Sequence, residues 1–162
     1  MKNAVRKRVL PGLQPIVAGL IFVLCLTTSA VGQAITQKQT LTYLNQKLEG
    51  KCEFTIKKGY LLVTFLKGED PFRIDRLSLR ELDPDRVVYD KEEESVYVYC
   101  GNDLNDCVKR EIKHLKKIDY YGRFNLIVKG MDTKSIMGIK EALIHLIKLD
   151  LYSDHERTQP FE

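Results

Sequence analysis

Apolar and polar positions along this chain follow two different periods. From Thr133 to Leu151, Ile136, Ile139, Leu143, Leu146 and Ile147 recur at helical spacing, and Ala142 and Leu149 widen the stripe. Lys134, Lys140, Glu141 and Lys148 fall off it. This predicts an amphipathic helix with one buried face, with Asp132 as its N-cap. One helix cannot bury such a face alone, so the segments before it are its expected partner. Near the other end, Thr36 and Gln39 fit a capping box, Leu41, Leu44 and Leu48 share a face, and Gly50 offers a stop. A first helix from Gln37 to Glu49 follows.

Between the helices the period falls to two. Cys52, Phe54 and Ile56 alternate with Glu53 and Thr55, Lys57 to Gly59 make a turn, and Tyr60 to Leu66 is β-branched and aromatic, which predicts a hairpin. Phe72 and Ile74 alternate with charged residues until Leu77 and Leu79 take up the opposite phase, the mark of a β-bulge. Asp83, Pro84 and Asp85 read as a turn. Arg86 to Tyr89 and Ser95 to Cys100 read as short strands around a charged turn, Lys91 to Glu94. A polar loop, Gly101 to Asp106, leads into a strand from Cys107 to Lys113, and Phe124, Leu126 and Val128 mark the last strand. The fold class is α+β: an antiparallel meander of six or seven strands, curled or barrel-like, with an N-terminal helix and a capping C-terminal helix.

The first 34 residues read differently. Lys2, Arg6, Lys7 and Arg8 precede an apolar run from Ile16 to Leu26 and then small and polar residues, the layout of a secretory signal. Cuts before Ile35 or before Gln33 both satisfy the small-residue rule. An uncleaved anchor is the competing reading, but the run is shorter than the ~20 residues that span a bilayer. Leu24 before Cys25 argues against a lipid attachment there. The expected divisions are a signal peptide over 1–34, one domain over 35–152 and a polar tail over 153–162. The domain would be exported, periplasmic or extracellular, with no membrane span once the signal is removed.

Charge follows the same division. The first 34 residues hold four of the 26 basic side chains and none of the 22 acidic ones, so the remainder has no formal net charge. A neutral domain has no overall attraction to nucleic acid, which drops out as a partner.

Candidate chemistry is sparse. In an oxidising compartment Cys100 and Cys107 would staple the loop between them; free buried thiols are the alternative. Cys52 is left over, as a small core residue, an intermolecular bridge or an alternative disulfide partner. Adding His114 to the three cysteines makes a set that zinc accepts, but no two of these lie two to four residues apart as in a zinc knuckle. No metal or cofactor is expected. His114, His145 and His155 accompany no catalytic motif, and the carboxylates of Glu69, Asp70, Asp83, Asp85 and Glu92 to Glu94 fall in turns. The asymmetric feature is the basic segment Lys109, Arg110, Lys113, Lys116 and Lys117, broken by Glu111. Such a segment suits an anionic surface, either acidic glycan or lipopolysaccharide, or an envelope protein; equally, lysines on an edge strand keep sheets from aggregating.

The stretches TLTYLNQKL, LSLRELDPDRVVYD leading to VYVYC, and IKEALIHLIKL together resemble small exported proteins of Bacteroidota with a pleckstrin-homology-like layout. That resemblance implies recognition or scaffolding, by analogy of fold. Pleckstrin-homology domains that bind phosphoinositides use basic residues around the first hairpin, where Lys57 and Lys58 stand here, but an exported protein does not ordinarily meet those lipids. Two readings follow: a non-catalytic binding or structural module of the bacterial envelope, or a small periplasmic hydrolase or envelope-stress enzyme whose site assembles from separated residues.

Overall fold

The computed structural model describes residues 35–102 and 104–157, with side chains as far as Leu151. The expectations of a signal peptide over 1–34 and of Cys25 lie outside the described residues. Helix α1 (Gln37–Lys47) starts on the expected capping box: Thr36 Oγ1 accepts from Gln39 N at 3.3 Å, and Gln39 Oε1 accepts from Thr36 N at 2.8 Å. Strands β1 (Cys52–Lys57) and β2 (Tyr60–Lys67) form the expected hairpin. Its two-residue turn places Lys58 at φ 53° and Gly59 at φ 77°, the left-handed pair that matches strand twist.

Strands β3 (Asp70–Ser78), β4 (Leu82–Asp90), β5 (Ser95–Cys100), β6 (Val108–Ile112), β7 (Lys117–Tyr121) and β8 (Arg123–Ile127) follow, and helix α2 (Thr133–Arg157) closes the order. Asp132 caps α2, its Oδ1 accepting from Ser135 N at 2.9 Å. All pairings are antiparallel, but the strands do not make one curled or barrel-like sheet. They make a five-stranded sheet, β1-β2-β3-β6-β7, and a three-stranded sheet, β4-β5-β8. The reason is the link after β3. A short 3-10 turn, Leu79–Glu81, sends β4 away from β3, and β3 keeps a free edge that β6 later fills. Eight strands replace the expected six or seven.

One core joins both sheets and both helices. Phe54, Leu61, Val63, Leu77 and Val108 line the inner face of the large sheet, and Val87, Val96, Val98, Phe124 and Leu126 that of the small one. The expected stripe of α2, Leu44 of α1 and Leu48 just after that helix pack on them. Gly138 permits the helix pair, since a Cβ there would collide with the Tyr43 hydroxyl.

Three local expectations change. The sequence suggests that β3 switches phase between Ile74 and Leu77, yet Leu77 shares its inner face with Arg73 and Asp75, while Ile74 faces outward. The polar residues are the inward ones because they satisfy each other. The bulge lies earlier, around Phe72: Leu66 pairs with Pro71 and Phe65 with Arg73. Asp83, Pro84 and Asp85 are not a turn between strands but an irregular stretch inside β4. The five steps from Leu82 to Val87 face only the two from Cys100 to Val98. Third, Lys117 to Tyr121 is an unexpected strand, the terminal one of the large sheet.

Asp75 is fully buried and ionically committed. Arg110 grips it through Nε and Nη2 at 2.8 Å each, and Arg73 Nη2 lies 3.1 Å away. Both arginines then reach the small sheet: Arg110 Nη2 donates to Asn125 Oδ1 at 2.9 Å and Arg73 Nη2 to Asn125 O at 3.0 Å. Removing the carboxylate strands two buried guanidinium groups. Asp75→Ala is expected to cost about 3–5 kcal/mol in urea unfolding. Replacing Arg73, Asp75 and Arg110 together by apolar residues is expected to cost less than that single change.

Candidate functional site

The loop between β5 and β6 crosses from the small sheet to the large one, and Cys100 is disulfide-bonded to Cys107 across it, with Cα atoms 5.8 Å apart. The expected staple is therefore present. Backbone contacts fix both of its ends: Cys100 N donates to Gly122 O at 2.9 Å, Gly101 N to Glu81 O at 2.7 Å, and Ser78 N to Cys107 O at 3.4 Å. The loop also lies tightly against the β7–β8 turn. A Cβ on Gly122 would stand 3.1–3.2 Å from Asn105 and from Leu104 O. Leu104 is left 39% exposed at the crest.

Open grooves flank that crest. One, of ≈ 500 Å³, lies on the outer face of the large sheet between Tyr60, Arg76, Lys109 and Tyr120, with Glu81 and Asp106 at its margin. Strand register puts Arg76, Lys109 and Tyr120 in one row across β3, β6 and β7. The Arg76 guanidinium lies 3.6 Å from the centre of the Tyr60 ring, and Tyr120 is 58% exposed. The other groove, of ≈ 430 Å³, is lined by Arg86, Tyr99, Asn105, Tyr121 and Arg123. Leu104 borders both.

The basic segment is dispersed by the pleat of β6 and the turn after it. Arg110 points inward onto Asp75 and is structural. Lys113 pairs with Glu111 at 2.8 Å, and Lys117 with Asp119 at 2.9 Å. That second pair holds the Lys117 ammonium above its ordinary pKa and the Asp119 carboxyl below its own. Lys116 occupies the left-handed turn residue, φ 50°, before β7. Of the five, Lys109 alone lines either of these two grooves. Lys58 sits in the first turn and lines neither groove. Tyr60, Arg76, Tyr120, Arg86, Tyr99 and Arg123 had no motif to announce them. Their shared signal is aromatic and arginine residues at strand positions of the outward phase.

Other candidates resolve simply. Cys100 and Cys107 are consumed by their disulfide, and among the described residues no group of three metal-binding side chains converges. His114 and Asp70 border one groove, and His145 and Glu141 another. Neither pair is hydrogen-bonded; the His145 ring meets Ile35 O at 2.9 Å. Cys52 is free and buried, and burial pushes its thiol up to about 12, only partly opposed by Arg73 and Lys51. No helix among the described residues is long and apolar enough to cross a membrane. Compared with protein-family models, curated proteins and solved structures, the chain finds no match.

Two outcomes test these assignments. Replacing Cys100 and Cys107 by alanine opens a short loop and is expected to lower stability by about 2–2.5 kcal/mol, read by denaturant unfolding. The Cys52 thiol is expected to resist alkylation at pH 8 in the folded protein and to react once unfolded, as peptide mapping would show. Its folded pKa is raised, so its contribution is complete below the ordinary value of 9.0 and is lost as pH rises toward about 12.

Proposed function

We propose that this chain is a non-catalytic binding module of the bacterial envelope that holds an acidic glycan in the groove between Tyr60, Arg76, Lys109 and Tyr120. The groove's composition carries the reading. Two aromatic rings stand beside two cations, neither of which has an ion pair among the described residues. A sugar ring offers C–H faces to an aromatic surface, hydroxyls to carboxylates such as Glu81 and Asp106, and, where it is acidic, a carboxylate to arginine. The Arg76 guanidinium lies over the Tyr60 ring, 3.6 Å from its centre, and this packing reduces the side-chain ordering left to ligand binding. Export to the periplasm or cell exterior belongs to the same proposal and is supported by the disulfide.

Calorimetric titration with oligogalacturonate, a chain of acidic sugars, tests the reading. Arg76→Ala, Lys109→Ala and Tyr120→Ala, all at outward-facing positions, are each expected to weaken binding about tenfold, or 1.4 kcal/mol. Lys113→Ala and Lys116→Ala are expected to leave it unchanged. Equal losses at all five positions would mean diffuse attraction to basic surface and would sink the groove assignment. So would no binding by the unaltered protein.

A further inference from the structure

The second groove, on the far side of the Leu104 crest, has a different character. Two arginines line it, Arg86 from β4 and Arg123 from β8, and among the described residues no carboxylate does. Neither arginine makes an ion pair among the described residues. The nearby carboxylate of Asp83 is turned to its own backbone, its Oδ1 accepting from Asp85 N at 2.9 Å. Glu93 is bonded to the Tyr97 hydroxyl.

Both guanidinium groups are positioned by aromatic faces. Arg123 stacks 4.5 Å from the centre of the Tyr97 ring, and Arg86 lies 4.9 Å from that of Tyr99. Tyr99 and Arg123 are direct partners across β5 and β8. Arg86 comes from the irregular stretch of β4, and its Nη1 approaches Cys100 O at 3.4 Å. Bulges of this kind re-aim a side chain at the margin of a sheet. Here that brings the Arg86 guanidinium to the groove wall formed by the disulfide-closed loop, while β8 supplies Arg123.

We propose that this groove is a site for a tetrahedral oxyanion, a phosphate or sulfate group, held by Arg86 and Arg123. A carboxylate offers two oxygens in one plane and is satisfied by a single arginine fork. A tetrahedral oxyanion offers three or four oxygens in several directions and accepts from two forks supplied by different strands, with the Tyr99 hydroxyl and the Asn105 amide as further donors. Stacking on rings that are already packed reduces the side-chain ordering left to binding. The proposal does not depend on the glycan groove, since among the described residues the two sites share only Leu104 in their linings.

The test is a titration of the isotope-labelled full domain with inorganic phosphate and with sulfate, following arginine Nε and backbone signals by NMR. Saturable shifts centred on Arg86, Arg123, Asn105 and Gly122 are expected, with affinity falling about tenfold in Arg86→Gln and in Arg123→Gln. Arg76→Gln, in the other groove, is expected to leave phosphate binding intact, so failure of either site is read separately. Retained chemical shifts away from the groove show that each variant remains folded. Shifts spread over the surface lysines, no saturation, or equal affinity in the Arg86→Gln/Arg123→Gln variant would overturn the site. With the site upheld, glucose 1-phosphate and phosphatidylglycerol vesicles distinguish a phosphosugar from a lipid headgroup by which binds more tightly than inorganic phosphate.

Discussion

The two sheets are held in register by one buried carboxylate. Asp75 has no solvent contact, and its two arginines extend from the large sheet to Asn125 on the small one. Hydrophobic contact alone, such as the Phe65–Phe124 ring pair at 6.2 Å, would stabilise the same association without fixing its geometry. Hydrogen-bonded charge adds direction: Arg110 can meet Asp75 and Asn125 together only when β6 and β8 hold one relative position. A buried pair of this kind is a weak source of net stability, because desolvation offsets much of the attraction. Its value here is in choosing one arrangement of two sheets.

That arrangement places the grooves. The disulfide loop spans the step from β5 to β6, so its course depends on how the sheets are set. Gly122 lets the loop lie close, and Leu104 then divides the surface into two recesses. One recess opens over the outer face of the large sheet, and the other is lined from β4, β5, β7 and β8. Neither is a cavity in the core. The interior is filled by the stripe of α2, so both recesses lie at the surface where loop and sheet meet.

Sequence pattern was sufficient for elements whose burial follows a simple period. The α2 stripe, the capping box at Thr36, the β1–β2 hairpin and the Cys100–Cys107 bond were all legible, because each rests on local spacing or local chemistry. Pattern failed where charge goes inside. Arg73 and Asp75 look like solvent-facing residues of β3, and only the distant Arg110 explains why they are not. It failed again at β7, whose Ile118 and Tyr120 are 50% and 58% exposed and so carry no core-facing signal. The basic segment misled for a related reason: a run in sequence becomes alternate faces in a strand, which sent Arg110 inward and Lys109 outward. The grooves could not be read at all, since each combines residues whose adjacency is made by strand pairing.

Arginine shows how one residue type serves two ends in this fold. Five arginines stack on aromatic rings: Arg73 on Phe65, Arg76 on Tyr60, Arg86 on Tyr99, Arg110 on Tyr121 and Arg123 on Tyr97. The ring gives the guanidinium a packed neighbour in every case. What separates them is the carboxylate. Arg73 and Arg110 share Asp75, face the core and complete the architecture. Arg76, Arg86 and Arg123 face outward and make no ion pair among the described residues. Burial requires a counter-charge, and so Asp75 is supplied from within the chain; exposure does not, because water screens the charge until a ligand displaces it. An ordered surface cation has already met part of the conformational cost of binding. Formal neutrality over residues 35–162 is therefore compatible with local sites for anions, provided the charges are sorted by position.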